Sequence, residues 1–135
     1  MTATLSTYML NKMVDDQYGS GSPATLYYAL MTTLPNAANV GGVEVTGNNY
    51  SRASLANNST NFPAASGGVK TGAVGVASFP VPSGAWNGIV GICEFDDPTS
   101  GNMRRFVAIS PYSAQAGASP IQVKATDITI TLVGT

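Results

Sequence analysis

The hydrophobic positions near the N-terminus recur with the spacing of an α-helix. Apolar side chains return every three or four residues, at Leu5, Tyr8, Met9 and Met13. Polar residues fall between them, on what we expect to be the opposite side: Asn11, Lys12 and Asp15. A helix this short is marginal by itself, so its apolar stripe is expected to pack on its own sheet or on a neighbouring protein.

Residues at both ends of this segment mark the limits of the helix. Thr4 or Ser6 can cap its start by accepting a hydrogen bond from a backbone N–H of the first turn. Gly19 and Pro23 follow the last periodic residue and end the helix. We therefore expect a helical arm over residues 1–18.

After Pro23 the period of the hydrophobic positions changes from 3.6 to 2. Residues 25–33 are apolar on both faces, which suits a central strand buried on each side. Further short strands, separated by turn residues, are expected at residues 43–46, 50–55, 72–79, 89–95, 103–110, 121–125 and 127–133. About eight short strands predict an all-β fold, a β-sandwich or jelly-roll-like barrel with one short N-terminal helix. The chain of 135 residues suits a single domain over 1–135, with the sandwich over 24–134.

One turn also predicts an ion pair. Gly47, Asn48 and Asn49 tolerate positive φ, which is typical of a hairpin loop. A loop of these three residues places Glu44 opposite Arg52, as a cross-strand ion pair that contributes a few tenths of a kcal/mol up to ~1 kcal/mol.

The low charge of the chain indicates that the protein acts through contacts with other protein. Charged residues make up 10% of the chain and the net charge is -1, against a charged content of roughly 25% in ordinary globular proteins. Lys and Glu are depleted at protein interfaces because their desolvation is costly, and weak self-repulsion favours association. We therefore expect a surface that other protein covers, and a homo-oligomer.

The composition argues against nucleic-acid and membrane partners. The six basic residues are scattered, whereas a nucleic-acid site groups them into a patch. No apolar run approaches the ~20 residues that span a bilayer, and the N-terminus lacks the pattern of a signal peptide.

Candidate chemistry is sparse. The chain has no histidine, which removes the usual general base, the commonest metal ligand and every Ser-His or Cys-His nucleophile arrangement. No phosphate loop is present, and the lysines sit in no nucleophile motif. Cys93 lies in an apolar run and is expected to be a buried, inert thiol. We therefore predict that the protein is not an enzyme and uses no cofactor.

One acidic cluster allows two interpretations. Glu94, Asp96, Asp97 and Asn102 could offer oxygen ligands to Ca²⁺. The simpler interpretation is that Asp and Asn start and close a turn while Glu94 faces solvent, since the spacing matches no recognised Ca²⁺ loop.

Candidate contact residues lie on the helix, in a long loop and on one strand. The loop over residues 57–68 carries Phe62, which can fold back as an anchor or meet a partner. Neighbouring strand residues point to opposite faces, so at most one of Arg104 and Arg105 can face a given partner. Trp86 is either a core residue, which we favour, or an exposed interface anchor. The candidate interface residues are Leu5, Tyr8, Met9, Met13, Phe62 and Arg104.

A series of turns and strand ends, in order along most of the chain, is similar to a known family. The matching segments, after the leading helix, are residues 25–30 before Thr32 and Thr33, residues 44–47 with Tyr50 and Arg52, residues 62–68, Phe79 with Pro80, residues 84–86, Phe95 with Asp96 before residues 99–102, and residues 128–132. This pattern resembles small tailed-bacteriophage virion structural proteins, a family often labelled tail-fibre-like in phage genomes. The resemblance implies a virion component assembled in the bacterial host cytoplasm, with the major capsid protein or other virion proteins as partners, and no catalytic residues.

Two virion roles fit this resemblance. A capsid decoration (cement) protein is compact and stabilises the shell by protein contacts, whereas a tail-fibre or tail-tip module is elongated or trimeric and binds a host receptor. The chain has no heptad or fibrous repeat and few aromatic residues for a glycan site. We therefore expect capsid decoration, with a tail-fibre module as the alternative and a soluble carbohydrate-binding module as a remoter one.

Overall fold

The computed structural model describes residues 1–132, which contain one α-helix and nine β-strands. The helix, α1, spans Thr7–Gln17. The strands are β1 (Ser20–Thr33), β2 (Val43–Glu44), β3 (Ala53–Asn58), β4 (Val69–Thr71), β5 (Val76–Ser78), β6 (Trp86–Phe95), β7 (Met103–Ala114), β8 (Gln122–Lys124) and β9 (Thr129–Thr131). A 3-10 helix, Ala125–Asp127, lies between β8 and β9. The predicted fold class, all-β with one short N-terminal helix, is confirmed.

Five strands form one sheet in which β1 is central. The sheet order is β2-β1-β6-β7, and β3 also pairs with β1. Strands β4 and β9 form a two-stranded sheet, as do β5 and β8. Four consecutive residues of β1, 28–31, are buried, so both faces of this strand are covered. The apolar run over residues 25–33 predicts this arrangement, because a strand covered on both faces reads as a continuous apolar run.

The chain divides into two compact units. Unit 1 comprises Met1–Thr25, Leu55–Val76 and the described residues from Lys124 onward, and unit 2 comprises Leu26–Ser54 and Ala77–Val123. In unit 1, α1 contacts β4, and the rings of Tyr18 and Phe62 lie 5.6 Å apart. The core of unit 2 includes a cluster of Ala29, Met31, Cys93 and Phe95. The single domain over residues 1–135 stays a prediction.

The helix begins and ends where its flanking residues predict. The Ser6 hydroxyl accepts a hydrogen bond from the Met9 N–H, so Ser6 rather than Thr4 is the cap. Tyr18 closes the other end, and Gly19 follows with a φ of 93°. Only glycine adopts this left-handed conformation without strain, and the chain therefore leaves the helix at this point.

The strand predicted over residues 72–79 shortens to β5, and β4 lies just before the predicted range, where no strand was expected. The chain turns away at Gly72, where a side chain would collide with the carbonyl of Ala125. The absence of a side chain at Gly72 therefore allows the close approach of another backbone. The last predicted strand shortens to β9, and its expected end at Val133 lies outside the described residues, as does the end of the predicted sandwich at residue 134.

The turn of the predicted hairpin is confirmed, whereas the pairing of its two strands is wrong. Gly47, Asn48 and Asn49 have φ values of 72°, 51° and 65°, so the positive-φ turn is confirmed. However, β2 and β3 do not pair with each other as hairpin strands, because each pairs with β1. The turn residues determine only the local bend, whereas the central buried strand supplies the backbone partners.

Candidate partner-binding surface

Helix α1 has two apolar faces, and only one of them is buried in unit 1. Leu10 and Val14 are buried, together with the capping residue Tyr18. The other face leaves three large apolar side chains exposed, with Tyr8 at 71%, and a fourth exposed apolar residue lies just before the helix. We call this set the helix patch; its members are Leu5, Tyr8, Met9 and Met13.

The structure corrects the predicted orientation of the polar residues of α1. Asn11 and Asp15 were expected on the outer side, but both point into unit 1. The Asn11 side chain accepts a hydrogen bond from the Gly68 N–H at 2.7 Å, and Asp15 accepts one from the Ala65 N–H at 2.8 Å. Periodicity alone cannot reveal this, because the partners are backbone groups about fifty residues further along the chain.

A buried lysine completes the attachment of α1. The Lys70 ammonium lies 2.7 Å from the Asp15 carboxylate, and the Lys70 side chain is almost fully buried. Partial burial acts to raise the pKa of Asp15, but the hydrogen bonds from Lys70 and Ala65 outweigh it and lower that pKa. Nothing in the sequence around Lys70 signals this role. The ion pair and the two backbone bonds fix the helix that carries the helix patch.

Two of the residues predicted as partner contacts are not on the surface. Phe62 is fully buried and packs against Tyr18, so the anchor interpretation is right and the contact with a partner is wrong. Arg104 is nearly buried, and its Nε lies 3.2 Å from Glu94. The remaining four candidates are the helix patch.

Glu94 lies at the centre of a buried charge cluster, and its predicted exposure to solvent is wrong. Its carboxylate contacts the guanidinium groups of both Arg104 and Arg105, at 3.2 and 2.8 Å. The rule that strand neighbours point to opposite faces fails here because the β6–β7 register shifts between Glu94 and Phe95. Such a bulge redirects one side chain. In the same row of the sheet, burial together with the nearby Glu94 carboxylate raises the pKa of Tyr28.

The carboxylates of Asp96 and Asp97, in the adjacent turn, accept hydrogen bonds from other residues of the same turn. Asp96 accepts hydrogen bonds from the Asn102 N–H and side-chain amide, and these lower its pKa. Asp97 accepts bonds from the N–H groups of Thr99 and Ser100, and they lower its pKa. These are the contacts of a turn. No group of three potential acidic, histidine or cysteine metal ligands occurs within residues 1–132.

A second ion pair stabilises unit 2. Arg52 donates to Glu44 through Nε at 3.0 Å and through Nη2 at 2.8 Å, so the predicted pair is confirmed. The Tyr50 hydroxyl donates to the same carboxylate at 2.8 Å. Burial raises the pKa of Tyr50, and the neighbouring Glu44 charge adds to this effect.

The aromatic and thiol side chains act as core residues. Trp86 is buried, its indole N–H donates to the Asn48 carbonyl, and its ring meets Tyr50 edge-on at 5.5 Å. The core interpretation of Trp86 is therefore confirmed. Cys93 is fully buried as expected, and burial raises the pKa of its thiol to about 11. Such a thiol is a poor nucleophile.

One exposed surface, the outer edge of β7, was not predicted from the sequence. Phe106, Val107 and Tyr112 are large apolar residues of this strand, and all three are exposed. A sequence signal was present, because no charged residue occurs between Arg105 and Lys124. Alternation of side chains predicts the strand itself but not its place at the end of the sheet.

None of the helices within residues 1–132 combines the length and apolar character needed to cross a bilayer.

Comparison with known proteins identifies a family for this chain. Curated proteins yield no match to the chain. A family model described as podophage GP4 fiber I protein gp80 matches residues 1–131. The chain thus belongs to this family of bacteriophage fibre proteins, which confirms its resemblance to tailed-phage virion structural proteins.

Proposed function

We propose that the protein is a tail-fibre component of a podophage virion and contacts another virion protein through the helix patch. The observation that carries this proposal is the family match over residues 1–131, whose description is that of a fibre protein. The low charge of the chain, 10% of residues, supports a protein that works through contacts with other proteins.

The family match favours the fibre alternative over capsid decoration, the role that the sequence pattern alone favoured. That preference rested on the absence of heptad and fibrous repeats. A fibre assembled from several compact subunits needs neither repeat, since the length of the assembly then comes from the subunits in series.

The helix patch has the chemistry of a protein-binding surface. Its apolar residues follow the spacing with which an amphipathic helix enters a groove. Met9 and Met13 are unbranched and adapt to an irregular surface, and Tyr8 adds an aromatic ring with a polar tip. Because Asp15 and Asn11 hold the helix in place, binding orders few additional groups. The proposed occupant is another virion protein with an apolar groove.

Copy number and position in purified virions test the fibre role. Quantitative peptide analysis against the major capsid protein is expected to give few copies per particle, and antibody labelling is expected to mark the tail. Copies in proportion to the capsid protein, with label over the shell, would overturn the fibre role.

Substitution of the helix patch tests the contact. We expect the double variant Tyr8→Ser, Met13→Lys to be lost from virions when it replaces the wild-type protein during infection. Val40→Lys is the matched control, because Val40 is also an exposed apolar residue but lies outside the helix patch. Trp86 fluorescence checks that each variant folds. Normal incorporation of the folded double variant would exclude the helix patch as the contact.

A further inference from the structure

Strand β7 is a long strand whose outer edge lacks a pairing strand. It runs over twelve residues, Met103–Ala114, and one edge pairs with β6. It ends the order β2-β1-β6-β7, so no strand within residues 1–132 pairs with the other edge. An unpaired row of backbone N–H and C=O groups is a template for another strand.

The side chains of the sheet are arranged as though the sheet continued beyond β7. Two rows cross from β1 through β6 to β7, one on each face. They are Ala29, Cys93 and Phe106 on one face, and Leu30, Ile92 and Val107 on the other. The β1 member of each row is buried, whereas the β7 member is exposed. A further strand beside β7 would cover the exposed member on both faces.

This edge lacks most of the features by which monomeric proteins protect their edge strands. Such edges carry charges, especially lysine, or proline, or they are short. The segment 106–123 has no charged residue. Arg104 and Arg105 place charge at the start of β7, and Pro111 is the one protective residue of the strand after them. Because Pro111 has no N–H, it limits pairing to residues 106–110.

We infer that residues 106–110 of β7 pair with the same strand of a second copy of this chain. The inference goes beyond the proposed function and does not depend on where the protein lies in the virion. An uncharged edge is complementary to another uncharged edge, because pairing then buries no unpaired charge. A net charge of -1 per chain leaves little repulsion between copies. The two copies are thus suited to an isologous contact about a two-fold axis, the commonest symmetry of soluble oligomers.

An antiparallel arrangement centred on Ala108 is compatible with the residues of the segment. Phe106 then lies opposite Ser110, and Val107 lies opposite Ile109, so all central pairs are uncharged. Beside the strand, a groove of about 480 Å³ is available for side chains of the second copy. Its lining includes Ile89, Ile92, Ile109, Tyr112 and Ile121.

The oligomeric state of the purified full chain tests the inference. Sedimentation between about 1 µM and about 100 µM is expected to show a concentration-dependent dimer. Val107→Lys places a charge on the edge and is expected to raise the dissociation constant at least about tenfold. Val74→Lys is the matched control, since Val107 and Val74 are 57% and 58% exposed. Trp86 fluorescence verifies folding of both variants.

A cross-link tests the position of the two-fold axis. In the variant Ala108→Cys, mild oxidation is expected to join the two copies, while the buried Cys93 does not react. A monomer at every concentration, or a dimer that Val107→Lys leaves unchanged, would overturn the inference. A chain that is monomeric alone but requires Val107 for incorporation into virions would also overturn it, because the edge would then bind a different virion protein. Copy number in the virion is a separate measurement, so the two proposals fail independently.

Discussion

Replacement of Arg52 by alanine is expected to destabilise unit 2. The side chain is 6% exposed and donates four hydrogen bonds, two to the Glu44 carboxylate and two to the carbonyls of Asp97 and Ser100. Its guanidinium also lies 3.9 Å from the centre of the Phe95 ring. One side chain thus joins the Gly47 turn region to the loop before β7.

The expected loss of free energy of unfolding is about 3 kcal/mol. Removal of one partner of a buried ion pair costs about 3–5 kcal/mol, because the other charge is left uncompensated. The lower end applies here, since the Glu44 side chain is 24% exposed and keeps the hydrogen bond from Tyr50. A loss of about 3 kcal/mol lowers the folding equilibrium constant by a factor of more than about 100.

Urea denaturation followed by Trp86 fluorescence measures this loss. Trp86 is the one tryptophan of the chain and is buried in the same unit as Arg52. Arg52→Lys keeps the charge but not the planar fork, so we expect a smaller loss. A double-mutant cycle with Glu44→Gln isolates the energy of the pair, and we expect a coupling of about 1 kcal/mol or more.

Lys12→Ala provides the control for this experiment. Lys12 also pairs with a carboxylate, that of Asp16 at 3.2 Å, but both side chains are more than half exposed. Exposed helix pairs of this type contribute about 0.3–0.5 kcal/mol. If Arg52→Ala costs no more than Lys12→Ala, the buried contacts of Arg52 do not stabilise unit 2 and the reasoning is refuted.

Three further predictions concern Cys93, Asp15 and Asn57. Cys93, with its pKa raised by burial to about 11, is expected to react with a disulfide reagent at pH 8 only as fast as the protein unfolds; rapid labelling of folded protein would contradict this. Because the pKa of Asp15 is lowered on folding, its contribution to stability is complete above its unfolded pKa of about 3.9 and is lost as the pH falls through the folded pKa. The difference in urea midpoint between wild type and Asp15→Asn, monitored by circular dichroism, should therefore shrink below about pH 4, and a constant difference down to pH 2 would refute the assignment. Asn57→Ala leaves the Gly19 N–H and the Pro23 carbonyl without their buried partner, at about 1–3 kcal/mol for each group, and an unchanged thermal unfolding midpoint would exclude this role.

Local patterns along the chain predicted the helix and most strands of the fold, although not β4. Apolar segments separated by turn residues predict β6 and β7, a continuous apolar run predicts the buried centre of β1, and glycine and asparagine predict the turn at residues 47–49. These features depend on backbone preferences and on side-chain period, which neighbouring residues determine. The family resemblance has the same basis, since it consists of turns and strand ends in order.

The choice between the two faces of α1 shows what local sequence patterns cannot predict. The stripe of Met9 and Met13 and the stripe of Leu10 and Val14 are both apolar, and the spacing of the residues alone predicted the first stripe as the apolar face of the helix. The buried partners of Asn11 lie far along the chain, and they decide which stripe faces inward. The sequence therefore predicted which residues form the helix patch, whereas the tertiary structure decides that they are exposed.

The sequence by itself determined the fold class, the limits of the helix, the buried thiol and the Glu44–Arg52 pair. Only the tertiary structure decided that β7 ends the sheet and that Arg104 and Arg105 share one carboxylate. The reason is physical: a strand is specified by its own residues, whereas its place in a sheet depends on which backbone reaches its free edge. The burial of a charge likewise depends on partners that the folded chain brings together.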